Sequence, residues 1–575
     1  MSNKIRLKDA VKSCTSDQDK ILHPKETVTR FLKKLSQIDL DILRSTERID
    51  NGRLDIPVYF SYCGKDAISC TGTKKQMGKG ATPHQAKASA LMELAERFSF
   101  FNFVKNPDNF LIENQSNLKD KAIPFEMIAK SVHDSSKDLD RAKTIFENLN
   151  LKWTQGYNLS EDKKTLIPFD WFFAINEFNG PSAGNCPEEA ICQGICEIVE
   201  RHVCAIISRK KIKAPAIQAE SSEDPLVQNM LKKYKKAGIK LYVSDFSLET
   251  GIPTISVLAY DPSTVYKTSE IVWTAGTTPC PDKALSRALA ETAQLAGDFN
   301  TGSNYVASGL PKIKTIDDAN FIIDVKDKKE IKTLPDLSNN NIKIEIINLL
   351  SALRKKNMEV FVIDTMHPQL EVPAFYTIIP GAHFRERAAA TSVGMFSAKL
   401  IYENNNAVNA INQLIQAEKI LPGKYYIRFY LGLCHMDIGD PDKALSFLKQ
   451  AIDLEPTPED IPTIYSYMGS CLKDMGEYKK AIVILQKGER YDKERADIYN
   501  LMGFCHFKLH KYQDAINCFQ KILDMDPSSG INYANIASNY RELGEKKKAV
   551  QYYKIALSID PKIDFARINL AKLLE

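Results

Sequence analysis

The sequence predicts an α/β (α+β) domain over residues 1–390, followed by an all-α helical solenoid over residues 391–575. Three observations carry this reading. Strand-like and helical runs alternate through the first part. A period of 34 residues governs the last third. A Gly/Pro turn running into a helix with the same polar stripe occurs three times before residue 300. The length, 575 residues, accommodates about two to four domains. With 44% hydrophobic and 26% charged residues the chain is neither disordered, collagen-like nor a small disulfide scaffold. A net charge of +5 is too weak a surplus at this size to argue for nucleic acid. There is no run of 18 apolar residues and no apolar core near the N-terminus. The expectation is therefore no membrane span, no secretory signal and a cytoplasmic setting.

The strand-like runs are 56–63, 166–174, 254–260, 270–276, 358–364 and 373–381, each rich in β-branched and aromatic residues. Helical runs are expected near 24–37, 223–237 and 342–356, and the lysine-rich stretch 324–332 reads as a solvated loop. Twelve cysteines are irregularly spaced. The local cluster Cys186, Cys192, Cys196 and Cys204 fits no usual zinc pattern and reads as reduced, buried thiols. His202 and His84 read as structural.

In the last third, Ala481, Ala515 and Ala549 stand 34 apart, as do Pro422 and Pro456, and Pro527 and Pro561. Each unit reads as two helices ended by proline, with small residues where the helices cross. Tyr499, Met502, Gly503, Ala515, Phe519 and Pro527 mark one unit in full. The pattern resembles the tetratricopeptide repeat: five units over about 391–561, then a capping helix. Such arrays present surfaces to proteins or mediate self-association, and a homodimer is left open.

The three turn–helix segments align on Ala86, Ala190 and Ala284, with Pro83, Pro187 and Pro281 three residues earlier. Proline suits the first helical turn. Ser89, Gln193 and Arg287 follow at +3. Glu93, Glu197 and Glu291 follow at +7, and Glu96, Glu200 and Gln294 at +10. Arg97 and Arg201 stand at +11 in the first two segments. Positions +3, +7 and +10 share one helix face. A solvated face explains one such stripe; three copies, on otherwise apolar helices, point to a cluster of acids that needs cations. Oxygen-rich sites of this kind suit Mg2+ bridging to phosphates, with the amides and arginines clamping phosphate oxygens. There is no P-loop and no dinucleotide fingerprint. The residues thus read as a nucleoside triphosphate site of another design, with Lys79 in a short glycine turn able to meet a phosphate.

Together the three motifs, with MGKGATPHQAKAS (77–89), SAGN (182–185) and IPG (379–381), resemble the YcaO family over roughly residues 1–385. The resemblance implies a YcaO-type ATP-binding domain. Glu93, Glu96, Glu197, Glu200 and Glu291 would hold Mg2+. Ser89, Arg97, Asn185, Gln193, Arg201, Arg287 and Gln294 would bind ATP. It further implies that an N-terminal base, one of Lys8, Lys12 and Lys20, approaches the phosphates. Members phosphorylate a backbone amide of a peptide or protein, after which a nucleophile displaces phosphate. A neighbouring side chain gives an azoline; external sulfide gives a thioamide. Azoline-forming members end in a proline-rich tail, whereas this sequence runs into the repeats and AKLLE. The opening segment resembles the thioamide branch, so thioamidation with a TfuA-like sulfur-delivery protein ranks first. Second is an accessory role for a radical methylthiotransferase acting on a small-subunit ribosomal protein, a branch that also carries helical repeats. Cyclodehydration and a non-catalytic, repeat-based scaffold follow. Glu189, ahead of the +3 position, is expected to matter little.

Overall fold

The computed structural model describes residues 5–302, 305–307, 309–385 and 391–575. Two compact units divide the chain. One comprises Met1–Asp134 and Asn150–Ala389, the other Ser135–Leu149 and Ala390–Glu575. Residue 390, where the sequence was expected to change character, lies outside the described residues.

The first unit is built on three sheets, almost entirely antiparallel. Leu43–Arg48, Val58–Cys63 and Lys75–Lys79 form a three-stranded meander. The five-stranded sheet runs in the order Val272–Thr277, Thr254–Tyr260, Lys240–Asp245, Ala216–Gln218, Lys328–Glu330, and its last pair is parallel. In the six-stranded sheet the order is Leu111–Glu113, Leu151–Asn158, Phe361–Asp364, Ala374–Ile378, Pro181–Ala183, with Lys163–Pro168 also paired to Leu151–Asn158. Each strand that ends at a Gly/Pro turn hands the chain to a long helix: Lys75–Lys79 to Pro83–Lys105, Pro181–Ala183 to Pro187–Lys210, and Val272–Thr277 to Pro281–Ala296. In all three, proline occupies the first helical turn. Two glycines in the same register permit the close approach. A Cβ on Gly78 would lie 2.0 Å from the Ala90 amide nitrogen, and one on Gly276 would lie 2.4 Å from the Ala284 carbonyl oxygen. Both stand eight residues before the aligned alanines. Those alanines, Ala86, Ala190 and Ala284, are fully buried.

Two readings are corrected here. The run 166–174 is not one strand: Lys163–Pro168 is, and Phe169–Asn176 is a helix. Its Phe169, Trp171, Phe172 and Ile175 are all buried, and with Phe173 and Ala174 half-buried the run is apolar almost throughout, so helical periodicity does not stand out. The lysine-rich stretch contains the strand Lys328–Glu330, paired in parallel to Ala216–Gln218. The Lys329 ammonium lies 3.2 Å from Asp245 at the sheet's margin, so lysine serves an edge strand rather than a loop.

The second unit is a stack of five helix pairs, Val393–Asn404 with Ala407–Ile420 through Gly530–Glu542 with Lys546–Ile559, closed by Asp564–Leu574. Small residues at the crossings are fully buried, as at Ala444, Ala481, Ala515 and Ala549. The helix Leu139–Glu147 belongs to this unit although it lies 250 residues earlier in sequence; it packs against Val393–Asn404 through a face holding Ala142, Ile145 and Phe146. Lys424 and Asp138 add an ion pair of 2.6 Å within the same unit.

Because the Cβ of alanine at position 78 would meet helix backbone and not a movable side chain, Gly78→Ala should cost about 3 kcal/mol, the upper end for overpacking. Urea titration of the purified variant checks this; a loss below about 1 kcal/mol would mean that strand and helix are not held at this distance.

Candidate active site

Three helices starting at equivalent turns present equivalent faces to one cavity. Its volume is about 380 Å3, and Ser89, Glu93, Glu96 and Arg97 line it from the first helix, Gln193, Glu197 and Arg201 from the second, and Arg287, Glu291 and Gln294 from the third. The turn before the first helix adds Lys79 and Gly80, that before the second adds Gly184 and Asn185, and the N-terminal segment adds Gln18, Lys20, Pro24 and Thr27. Glu200 sits one step behind this wall; its side chain is 3% exposed and accepts a hydrogen bond of 3.1 Å from the Thr277 amide.

Acids and bases alternate around the cavity. Lys79 meets Glu291 at 2.6 Å. The other pairs are longer: Arg97 to Glu96 at 3.4 Å and to Glu93 at 3.9 Å, Arg201 to Glu197 and to Glu200 at 3.7 Å each, Arg287 to Glu200 at 3.8 Å. Arg287 also donates to Gln193 at 2.7 Å, and Gln294 to the Met77 carbonyl at 3.2 Å. The Nε atoms of Arg201 and Arg287 are buried and reach no hydrogen-bond acceptor. Guanidinium groups at these spacings have donors to spare.

The charge crowding shows in the titration of the acids. Burial first, then the like charges of Glu197 and Glu291, push the Glu93 carboxyl up against the pull of Arg97 and Lys79. Glu96 is pushed well up by burial with Glu197 and Glu93 beside it. Burial, with Glu291 nearby, raises Glu200 to about 7 despite Arg201 and Arg287. Glu291 alone moves the other way: burial opposes it, but Lys79 and Arg201 hold its carboxyl below the usual range. Among the described residues, no three His, Cys, Asp or Glu side chains close on one point as a group that could hold a metal ion. The acids share a cavity, each turned towards its arginine or lysine.

The sequence profile described as YcaO cyclodehydratase, ATP- and Mg2+-binding, matches residues 77–383. The chain belongs to the YcaO family. Tetratricopeptide profiles match 403–460, 496–529 and 532–563. An "Uncharacterized protein" of Methanothermobacter thermautotrophicus is 25% identical over 381 residues, 63% of this chain and 94% of that protein. "Ribosomal protein S12 methylthiotransferase accessory factor YcaO" of Escherichia coli is 25% identical over 338 residues, covering 53% and 56%. An "Uncharacterized protein in tfuA 3'region" of Rhizobium leguminosarum is 26% identical over 163 residues, covering 25% and 38%. Among solved structures, "Heterocyclase in complex with substrate and Cofactor" superposes with a TM-score of 0.56 at 20% identity, over 66% of this chain and 55% of that one; it is a likeness of fold. The chain thus spans little more than half of the Escherichia coli relative and of the heterocyclase.

Within the first unit the three N-terminal lysines part company. Lys20 lines the cavity. Lys12 points away from it: its buried ammonium is held by Asp19 at 2.7 Å and Glu345 at 2.6 Å. Lys8 is not on the cavity wall; its backbone amide donates to Glu188 at 2.6 Å. A tight turn, closed by reciprocal hydrogen bonds between the Cys14 and Lys20 backbones, separates the two outcomes. Glu189, expected to matter little, is in contact with the site. It lines the cavity, is 3% exposed, and accepts from the Ile21 amide at 2.7 Å, the Asn185 amide at 2.9 Å and Asn185 Nδ2 at 3.0 Å. It ties the Lys20 segment to the second helix. Gln18, Thr27, Gln85 and Met92 on the wall carried no sequence signal beyond their neighbourhood. His202 takes a structural place, its Nδ1 accepting from the His383 amide at 3.0 Å, with the two rings stacked at 5.4 Å. Every cysteine is free.

A carboxyl raised in the folded state binds a proton that the unfolded chain has already released, so folding loses stability as pH rises between the two values. For Glu200 that window runs from 4.5 to about 7. In ligand-free protein, Glu200→Gln should therefore gain stability relative to the wild type across this window. Paired thermal melts between about pH 4.5 and pH 7.5 read the difference; a difference that does not change with pH would contradict the burial of this acid.

Proposed function

We propose that this chain uses ATP and Mg2+ to phosphorylate a backbone amide oxygen of a peptide or protein, and that an external sulfur donor then converts the amide to a thioamide. The observation that carries this reading is the single cavity in which acids from three helices face a lysine and arginines, two of which, Arg201 and Arg287, keep an unused Nε donor. Crowded, raised carboxylates and orphaned guanidinium nitrogens fit a ligand that brings both cations and anionic oxygens. Mg2+ holds few protein ligands and completes its shell with phosphate oxygens and water, so acids that share a cavity without forming a closed shell suit it.

In this reading Glu93, Glu96, Glu197, Glu200 and Glu291 hold the metal. Lys20, Lys79, Arg97, Arg201 and Arg287 meet phosphate oxygens, and Ser89, Asn185, Gln193 and Gln294 supply neutral hydrogen bonds. When bound, ATP supplies the phosphoryl group that turns a poor leaving oxygen into phosphate, and Mg2+ neutralises the charge that develops during transfer. The chain's part is positioning. Arg97 and Arg201 offset part of the repulsion among the acids before the ligand arrives, Glu189 fixes the Lys20 segment over the cavity, and Lys79 would leave Glu291 for a phosphate oxygen. Hydrosulfide then adds to the activated carbon, and the carbon–oxygen bond breaks with phosphate leaving. Thioamidation is supported by the Rhizobium relative, whose name places it beside tfuA.

The second reading is an accessory role beside a radical methylthiotransferase, favoured by the name of the Escherichia coli relative. In either reading the repeats bind the protein partner, the sulfur-delivery protein, methylthiotransferase or substrate. The chain works in the cytoplasm in both; no helix among the described residues is long and apolar enough to cross a membrane.

Glu93→Gln or Glu291→Gln keeps shape and removes a metal-binding charge. ATP turnover should fall at least about a hundredfold, or roughly 2.7 kcal/mol in the barrier. Lys20→Ala should raise KM for ATP while Lys8→Ala stays near wild type. Equal effects of the two lysine changes would remove Lys20 from the phosphates.

The product separates the chemistries. Given ATP, Mg2+ and sulfide, a target peptide should gain the mass of an oxygen-to-sulfur exchange. Loss of water without dependence on sulfide would replace the thioamide with an azoline.

A further inference from the structure

A second cavity, of about 580 Å3, lies between the last turns of the first site helix and the strands Leu151–Asn158 and Phe361–Asp364. It shares a helix face with the site already described. Gln85, Ser89, Met92 and Glu96 line the first cavity; Ser99, Phe103 and Asn106 line the second. These seven positions alternate by four and three residues; the first six make one continuous stripe along the helix Pro83–Lys105, and Asn106 is its C-cap. From Glu96 to Asn102 the helix advances about 9 Å, at about 1.5 Å per residue.

The wall of the second cavity is rich in acceptors. Asn102 Nδ2 is used up on the Phe98 carbonyl at 2.8 Å and Cys70 Sγ at 3.0 Å. Asn109 Nδ2 donates to the Phe103 carbonyl at 2.9 Å. Gln155 Nε2 donates to the carbonyls of Gly156 and Thr165 at 3.0 and 3.1 Å. In these three amides the NH2 group is engaged inside the protein, which leaves the carbonyl oxygen as the group to be satisfied; the fourth wall amide, Asn106, instead accepts from the Asp108 amide at 3.1 Å. Asp108 and Asp364 add carboxylates, and no lysine or arginine stands on the wall. Both acids are exposed residues, and desolvation nonetheless pushes the Asp364 carboxyl up. Two further wall residues, Ser99 and Thr365, are at most 1% exposed, and their hydroxyl oxygens have no hydrogen-bond partner. Buried hydroxyls of that kind cost stability unless something else satisfies them.

We propose that this cavity is a docking site for the guanidinium of an arginine in the acceptor polypeptide, anchoring it so that an amide a few residues away enters the ATP cavity. The inference rests on the amide-activation reading. Arginine is the donor-only group whose planar fork of five N–H bonds suits converging carboxylates and amide oxygens. An extended chain covers that rise of about 9 Å along the helix in about three residues, at about 3.3 Å each. The modified amide therefore lies about three residues from an arginine.

The test uses the full-length chain with two fluorescein-labelled peptides, one carrying arginine three residues from a glycine amide and one carrying citrulline in its place. Anisotropy should show the citrulline peptide binding at least about tenfold more weakly to the wild type, or about 1.4 kcal/mol. In the double variant Asp108→Asn and Asp364→Asn the two peptides should bind within about twofold of each other, or about 0.4 kcal/mol. Discrimination that is missing in the wild type, or kept in the variant, overturns the proposal. So does competition by free arginine amide as strong as by the unlabelled arginine peptide, since that would make the site one for a small cation. The shift in melting temperature on adding ATP with Mg2+ is read on the same samples. An unchanged shift in the variant shows that it is folded. A wild type that binds the peptides selectively but shows no such shift would sink the ATP reading and leave this site standing.

Discussion

Like charges crowded in one cavity are the constraint on which the first unit depends. Five glutamates reach or back the same space from three helices, and no such cluster is stable without cations close by. Arg97, Arg201, Arg287 and Lys79 provide them, but mostly at 3.4 Å or more, with the short contact reserved for Lys79 and Glu291. Long pairs of this kind hold charge in balance without using up the donors. The arrangement demands that strands and helices approach closely, which Gly78 and Gly276 allow and a Cβ at either position would forbid. Backbone packing and electrostatics are therefore set by the same turn, repeated with variations three times along the chain.

The N-terminal segment completes the arrangement through contacts that reach far across the sequence. Lys12 reaches Asp19 and Glu345, the Lys8 amide reaches Glu188, and the Ile21 amide reaches Glu189. Asp17 accepts from the Thr82 amide at 3.1 Å, at the very start of the first site helix. Burial raises its carboxyl to about 6 even so. Lys20 is thus held over the cavity by a segment anchored on the first two turn–helix units and on Glu345.

What the sequence made legible follows from locality. The +3, +7 and +10 stripe is a property of one helix at a time, so spacing alone exposes it, and its threefold recurrence separates a site from a wet surface. The repeat array is legible for the same reason. Lys20 could not be told from Lys8 or Lys12, because the choice is made by a turn between Cys14 and Lys20 and by a partner at Glu345. Glu189 looked like a helix-start acid, and only the chain crossing above it shows its use. The helix Phe169–Asn176 hid because it is apolar almost throughout, and Lys328–Glu330 because an edge strand tolerates lysine. The helix Leu139–Glu147 is amphipathic in plain view, but that its apolar face belongs with the repeats is tertiary information.

The central claim is that raised carboxyls in the first cavity release their protons to solvent when the cations that ATP brings bind there. Calorimetry of ATP binding in saturating Mg2+ near pH 6.5, repeated in buffers of different ionisation enthalpy, counts those protons directly. With Glu200 near 7 and Glu93 and Glu96 also raised, the account predicts release of about one proton or more per ATP bound. Binding without proton release, or with uptake, would mean that the nucleotide does not meet these acids.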